Sequence, residues 1–168
     1  MAIPLPQGFP PVVDHRARVL ILGSFPSVHS LATRQYYGNP RNAFWQITGE
    51  FLGFDPAATY ERRLAALQSQ GVALWDVLRS CRRRGSADSA IDPKSLVVNN
   101  FGELFADYPG IVRVYFNGAK AAELFRRLAP DGLDGRLGYQ RLPSTSPAHA
   151  VRPGEKLAAW RVIAAGRR

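Results

Sequence analysis

Apolar positions along this chain follow two rhythms: short continuous runs that read as buried strands, and stripes at helical spacing that read as amphipathic helices. The first run, residues 18–22 (RVLIL), stops at Gly23-Ser24. The second, Val72-Ala73-Leu74-Trp75, runs into Asp76, and the third, residues 111–116 (IVRVYF), ends at Asn117-Gly118. The fourth, residues 139–142, runs into Pro143-Ser144-Thr145-Ser146-Pro147. Between these runs, residues 42–53 put Phe44, Trp45, Ile47, Phe51 and Leu52 on one helical stripe that closes at Gly53. Residues 59–70 form a helix stopped by Gly71. Residues 95–107 are helical in part, with Leu96, Leu104 and Phe105 facing inward. Residues 119–129 (AKAAELFRRLA) are helical by propensity, and residues 154–166 make a terminal amphipathic helix. Strands alternating with helices across short connections predict an α/β sandwich with a mainly parallel sheet. With no internal repeat or linker, residues 1–168 read as one domain, with residues 1–15 as an extended, Pro-rich N-terminal arm on the body.

The connection after the first strand is the unusual one. It spends roughly twenty residues on a polar, aromatic-rich loop before the apolar pattern resumes at Phe44-Trp45. Loops of that length are uncommon unless functional or disordered, and the aromatic content argues against disorder. All four strands, moreover, end in polar residues: Gly23-Ser24, Asp76, Asn117-Gly118 and Ser144-Thr145-Ser146. Open α/β sheets bind ligands at the carboxyl edge of their strands, so these ends converge on one predicted site.

Composition narrows the partners. With 22 Lys+Arg against 13 Asp+Glu the formal net charge is +9, and arginines cluster at Arg79, Arg82, Arg83 and Arg84, at Arg126 and Arg127, and at Arg161, Arg167 and Arg168. That is the electrostatic footprint of a nucleic-acid binder, although arginine content alone can rise for reasons unconnected with function. The single cysteine, Cys81, excludes an internal disulfide and any cysteine-based metal site, which fits a reducing cytoplasm. His15, His29 and His149 lie far apart with no ligand spacing, so no metal is expected. No run approaches a membrane span, and the N-terminus has no basic and apolar regions of a secretory signal.

Familiar nucleophile and phosphate-binding motifs are missing. There is no G-x-S-x-G elbow, no G-x-G-x-x-G and no G-x-x-x-x-G-K-[ST]. The strand ends instead offer amides, hydroxyls and a carboxylate beside aromatic rings, which are the groups that read a flat heterocycle by its edge and stack on its face.

The segments ILGSFPS, YYGNPRNAFW, GVALWDVL and STSPAHA together resemble the uracil-DNA glycosylase superfamily, most closely its hypoxanthine (deoxyinosine) DNA glycosylase branch, over roughly residues 18–160. The resemblance implies a three-layer α/β/α sandwich around a short four-stranded, mainly parallel sheet. It also implies cofactor-free hydrolysis of the N-glycosidic bond of a flipped, deaminated base in DNA. In the superfamily the loop after the first strand carries a water-activating Asp or Asn, but mismatch-type relatives have Asn where Phe25 stands here. The branch it resembles places a functional amide in the next loop, which matches Asn39 with Asn42 close behind; Asn39 before Pro40 also reads as a turn residue.

By the same resemblance Phe44 is the aromatic on which the base stacks, though a core-facing helix residue fits its position too. Asp76 meets the Watson–Crick edge or caps a turn, Asn117 bonds the base or turns the chain with Gly118, and Phe25 completes the base-binding set. Gly23, Ser24, Ser27, Ser144, Ser146 and His149 are candidates for the DNA backbone, with Arg82 and Arg83 as electrostatic track or as a solvated loop. The expectation is a monomeric glycosylase for DNA containing deaminated bases, with hypoxanthine favoured over uracil. The rivals are a catalytically silent DNA-binding module on the same scaffold and a small hydrolase of free nucleosides.

Overall fold

The computed structural model describes residues 4–133 and 135–167, so the first three residues of the arm lie outside the described residues. Four strands, β1 (Val19–Gly23), β2 (Val72–Asp76), β5 (Arg113–Asn117) and β6 (Gly138–Leu142), form one sheet in the order β2-β1-β5-β6. Every neighbouring pair is parallel, with Val19 opposite Val72 and Arg113, and Arg113 opposite Gly138. Val19, Leu20, Ile21 and Leu22 of β1 are completely buried, because a central parallel strand is covered on both faces and reads as an unbroken apolar run.

Helices cover both faces. On one, Phe101 of α4 (Phe101–Asp107) packs edge-on against Trp75, and Phe125 of α5 (Ala119–Leu128) meets Phe101 and Phe116. On the other, Trp160 of α6 (Pro153–Trp160) packs on Phe44 of α2 (Phe44–Leu52), and the Tyr115 hydroxyl lies against Gly166 of α7 (Val162–Gly166). The three-layer α/β/α sandwich expected from the resemblance is the fold observed. After β1 the chain moves outward to β2 and then jumps across β1 to β5. The sheet therefore changes direction between β1 and β5, where parallel α/β sheets open a crevice at their carboxyl edge.

The arm is structural. Val12 and Leu74 exchange backbone hydrogen bonds of 2.9 Å, Gly8 N donates to Arg79 O, and the Trp75 indole donates to Phe9 O. This antiparallel strip covers the outer edge of β2, which would otherwise present unpaired backbone groups.

Three expectations change. The long loop after β1 contains a short helix, α1 (Val28–Thr33), started by Ser27, whose Oγ accepts from Ser30 N. Residues 95–107 are helical only from Phe101; before it, β4 (Val97–Val98) pairs antiparallel with β3 (Leu78–Ser80), making the basic segment the loop of a small ribbon. The terminal helix divides at Arg161 into α6 and α7. Helix α3 (Tyr60–Ser69) lies where periodicity predicts it and is followed by Gly71 at φ 76°.

Candidate active site

The site begins with two paired strand ends. Gly23 of β1 lies opposite Asp76 of β2, and a Cβ on Gly23 would stand 2.5 Å from Asp76 Oδ1 and 3.2 Å from the Tyr37 hydroxyl. Glycine is required there for space, since the carboxyl and the phenol meet over its backbone. The backbone of Asp76 is fixed from both sides: Val77 N donates to Gly23 O, and Asn99 Nδ2 donates to Asp76 O. Asp76 is 5% exposed, and its Oδ2 has no hydrogen-bond partner among the described residues. Burial pushes its carboxyl up to about 7, with Arg83 pulling the other way and Asp88 adding to the rise.

Tyr37 supplies the aromatic face. Its backbone sits in the left-handed region at φ 53°, and its ring stacks on Phe44 with centroids 3.9 Å apart and planes 18° from parallel. The hydroxyl is buried and has no hydrogen-bond partner among the described residues; burial first, and then the charge of Asp76, hold it well above the usual phenol range. Phe44 itself is 0% exposed, enclosed by Tyr37 on one face and by the edges of Trp45 and Trp160. The expected stacking residue is thus a core residue, and the ring that lies over the strand ends is Tyr37. The resemblance points to Phe44, for which a core-facing helix position is the other reading, while the unusual backbone of Tyr37 leaves no pattern in sequence.

The amides expected to do chemistry also hold the chain. Asn39 Oδ1 accepts from Arg41 N at 3.0 Å, and its backbone oxygen accepts from Asn42 N, making the turn that Asn-Pro suggests. Asn42 Oδ1 accepts from Phe44 N at 2.9 Å at the start of α2. Their oxygens are engaged, and neither Nδ2 has a hydrogen-bond partner among the described residues. Both side chains therefore present donors, while each oxygen keeps a second lone pair beyond its one bond to the chain.

Asn117 is a clamp. Its Nδ2 donates to Thr145 Oγ1 and its Oδ1 accepts from Thr145 N, both at 2.9 Å, so each end of the side chain makes a bond to the loop after β6. Thr145, 1% exposed, also accepts from Ala43 N through its backbone oxygen. That joins the end of β5, the loop after β6 and the entry to α2. The loop is stiffened further: Ser144 Oγ accepts from Ser146 N, Lys156 Nζ donates to Ser146 O, and Trp160 Nε1 donates to Pro143 O. His149 stands exposed beyond it.

The basic loop folds back onto the segment after β1. Arg83 donates to Pro26 O and lies 5.4 Å from the Phe25 ring centre, while Ser86 Oγ accepts from Val28 N. Ser24 Oγ donates to Asp88 Oδ1 at 2.7 Å. Phe25, 7% exposed, packs between this loop and the arm at Gly8; that burial makes it wall and offers no face to a base. Arg82 is exposed and paired with Asp92. Two clefts, of about 860 Å³ between α5 and β6 and about 520 Å³ between the arm and α1, lie away from the strand ends. At the strand ends the Tyr37 hydroxyl stands beside the Asp76 carboxyl over Gly23.

Fold and site define an open parallel α/β protein with its polar crevice at the switch point between β1 and β5. The family model of the uracil DNA glycosylase superfamily matches residues 10–165. A hypoxanthine DNA glycosylase of Methanosarcina acetivorans is 35% identical over 158 residues, covering 94% of this chain and 96% of that one. Its counterpart from Methanosarcina barkeri is 42% identical over 118 residues, 70% of this chain and 73% of the other. A solution NMR structure of a candidate uracil DNA glycosylase from Methanosarcina acetivorans superposes with a TM-score of 0.79 at 34% identity, covering 97% of this chain and 98% of that one. The chain belongs to the uracil DNA glycosylase superfamily.

Proposed function

We propose that this protein is a monomeric DNA glycosylase that hydrolyses the N-glycosidic bond of a flipped, deaminated base, with hypoxanthine favoured over uracil. The observation that carries the reading is the buried, unpartnered Oδ2 of Asp76, set beside the Tyr37 ring at the strand ends. As a carboxylate, Asp76 accepts from the N1–H of hypoxanthine, a donor that adenine lacks. The same carboxylate would accept from uracil, and the names of both relatives support the purine. Tyr37 takes the stacking role, shifting to admit the base, with Phe44 supporting it from behind.

The free Nδ2 groups of Asn39 and Asn42 suit donation to the departing base as it gathers negative charge. Ser24, Ser27, Ser144 and Ser146, with the loop backbone at Gly23 and with Arg82, Arg83 and His149, form the track for the phosphates. A free, buried Cys81 agrees with a reducing compartment such as the cytoplasm. Among the described residues no helix is long and apolar enough to cross a membrane. Family membership favours an enzyme over the silent binding module.

The test is a set of labelled duplexes carrying one hypoxanthine, uracil or xanthine, incubated with protein and then cleaved at abasic sites with alkali. Strand cleavage at hypoxanthine, faster than at uracil, is the expected result. Salt-sensitive binding with no cleavage of any duplex would overturn it.

A further inference from the structure

On the way to product the attacking water loses a proton, which the amides of Asn39 and Asn42 cannot take. Each oxygen already accepts one backbone N–H, from Arg41 and from Phe44. Asp76 is enclosed, lies at the base-facing strand ends, and is held partly protonated near neutral pH. A second carboxylate reaches the segment that follows β1. Asp88, in the short 3₁₀ turn Asp88–Ala90 of the basic loop, is exposed, and its Oδ1 accepts from Ser24 Oγ at 2.7 Å. Ser24 directly follows the Gly23 that Asp76 and Tyr37 cover, and the charge of Asp88 is felt by both of those groups. Its Oδ2 has no partner among the described residues.

Resting on the glycosylase reading, we propose that Asp88 is the catalytic residue that activates the attacking water, delivered from the ribbon loop to the end of β1. The water oxygen bonds to C1′ of the sugar as the C1′–N bond breaks. The bonding electron pair leaves with the base, eased by the amide donors, and the base anion is protonated by solvent. The proton lost by the water passes to Asp88 Oδ2 and then to solvent, so that one water is consumed and a free base and an abasic site are made. The negative charge also faces the positive charge that develops on the sugar. Two carboxylates with separate work, one enclosed against the base and one open to water, follow the usual division of acid–base sites. The polar latches that hold the loop down, Arg83 to Pro26 and Ser86 to Val28, fix the position of Asp88.

A mere latch makes a different prediction, and Asp88→Asn separates the two. The asparagine oxygen still accepts from the Ser24 hydroxyl, but it cannot take a proton. Single-turnover cleavage of a hypoxanthine duplex, with enzyme in excess, is expected to fall roughly 100-fold or more in Asp88→Asn and Asp88→Ala. Binding to an abasic-analogue duplex should hold within about threefold, and added formate should restore part of the Asp88→Ala rate. Wild-type cleavage with Asp88→Asn close to wild type would overturn the role of Asp88 and leave the glycosylase reading standing. A wild-type protein that cleaves no deaminated duplex would remove both.

Discussion

Asp76 ties the stability of this protein to pH, and replacing it with asparagine exposes the link. Its carboxyl would give up its proton near 3.8 in an unfolded chain and does so near 7 in the fold, because burial penalises the charged form. Between those values the native state holds a proton that the unfolded state has lost, so stability falls as pH rises. The contribution is fully present below about pH 4 and gone above about pH 7. At about 1.4 kcal/mol per pH step it amounts to ~4 kcal/mol. Asp76→Asn keeps the shape and stays neutral, so it should match the wild type near pH 3, exceed it by ~1 kcal/mol at pH 4.5 and exceed it by up to ~4 kcal/mol at pH 8. For a domain of this size that is a melting-temperature gain of roughly 8 to 16 °C. Urea titrations of both proteins at several pH values measure it, and taking the difference cancels every other titrating group. Parallel stability-against-pH curves would refute the enclosed, near-neutral carboxyl. The same variant, with its amide in place of the acceptor, should lose its preference among bases more than its grip on DNA.

Three further substitutions test the frame of the site and a helix beside it. Gly23→Ala should cost about 1–3 kcal/mol and most of the activity, since the added methyl meets the Asp76 carboxyl and the Tyr37 hydroxyl in a closed space. Gly102→Ala, on the exposed side of α4 with its nearest neighbour at 3.6 Å, should instead gain about 0.5–1 kcal/mol, and denaturant melts compare the two. Asn117→Ala leaves the Thr145 hydroxyl and amide without partners in a buried position and should cost ~1–3 kcal/mol. Limited proteolysis of that variant should show earlier cleavage in the loop after β6, and equal resistance would count against the clamp.

Sheet and layers were readable because strands buried on both faces must be apolar throughout, and because glycines and polar residues punctuate their ends. VLIL, VALW and VYF each end at a residue that cannot continue a buried strand, and those ends are the site. What did not show in the sequence depends on contacts between distant segments. Tyr37 and Phe44 compete for one stacking position, and only the left-handed backbone at Tyr37 decides which ring lies over Gly23. Asp88 sits in a stretch without periodicity, and its nearness to β1 comes from a loop folding back onto the segment after β1. Asn39, Asn42 and Asn117 carry turn and cap duties that local sequence does suggest; the direction in which their donors point does not follow from it. The short helix α1 is likewise a cap effect at Ser27, too brief for a hydrophobic stripe.

The strand order has a further meaning for how the molecule is made. The two central strands, β1 and β5, come from opposite parts of the chain, and the clamp on Thr145 comes later still. Parallel pairing between such distant segments closes large loops before it gains contacts, which slows folding. A chain still emerging from the ribosome therefore has Gly23 and Asp76 in hand but lacks β5 and the loop that seals the crevice. No partial product can assemble the crevice, and a protein cut within the connection from α5 to β6 must hold both pieces together to keep it.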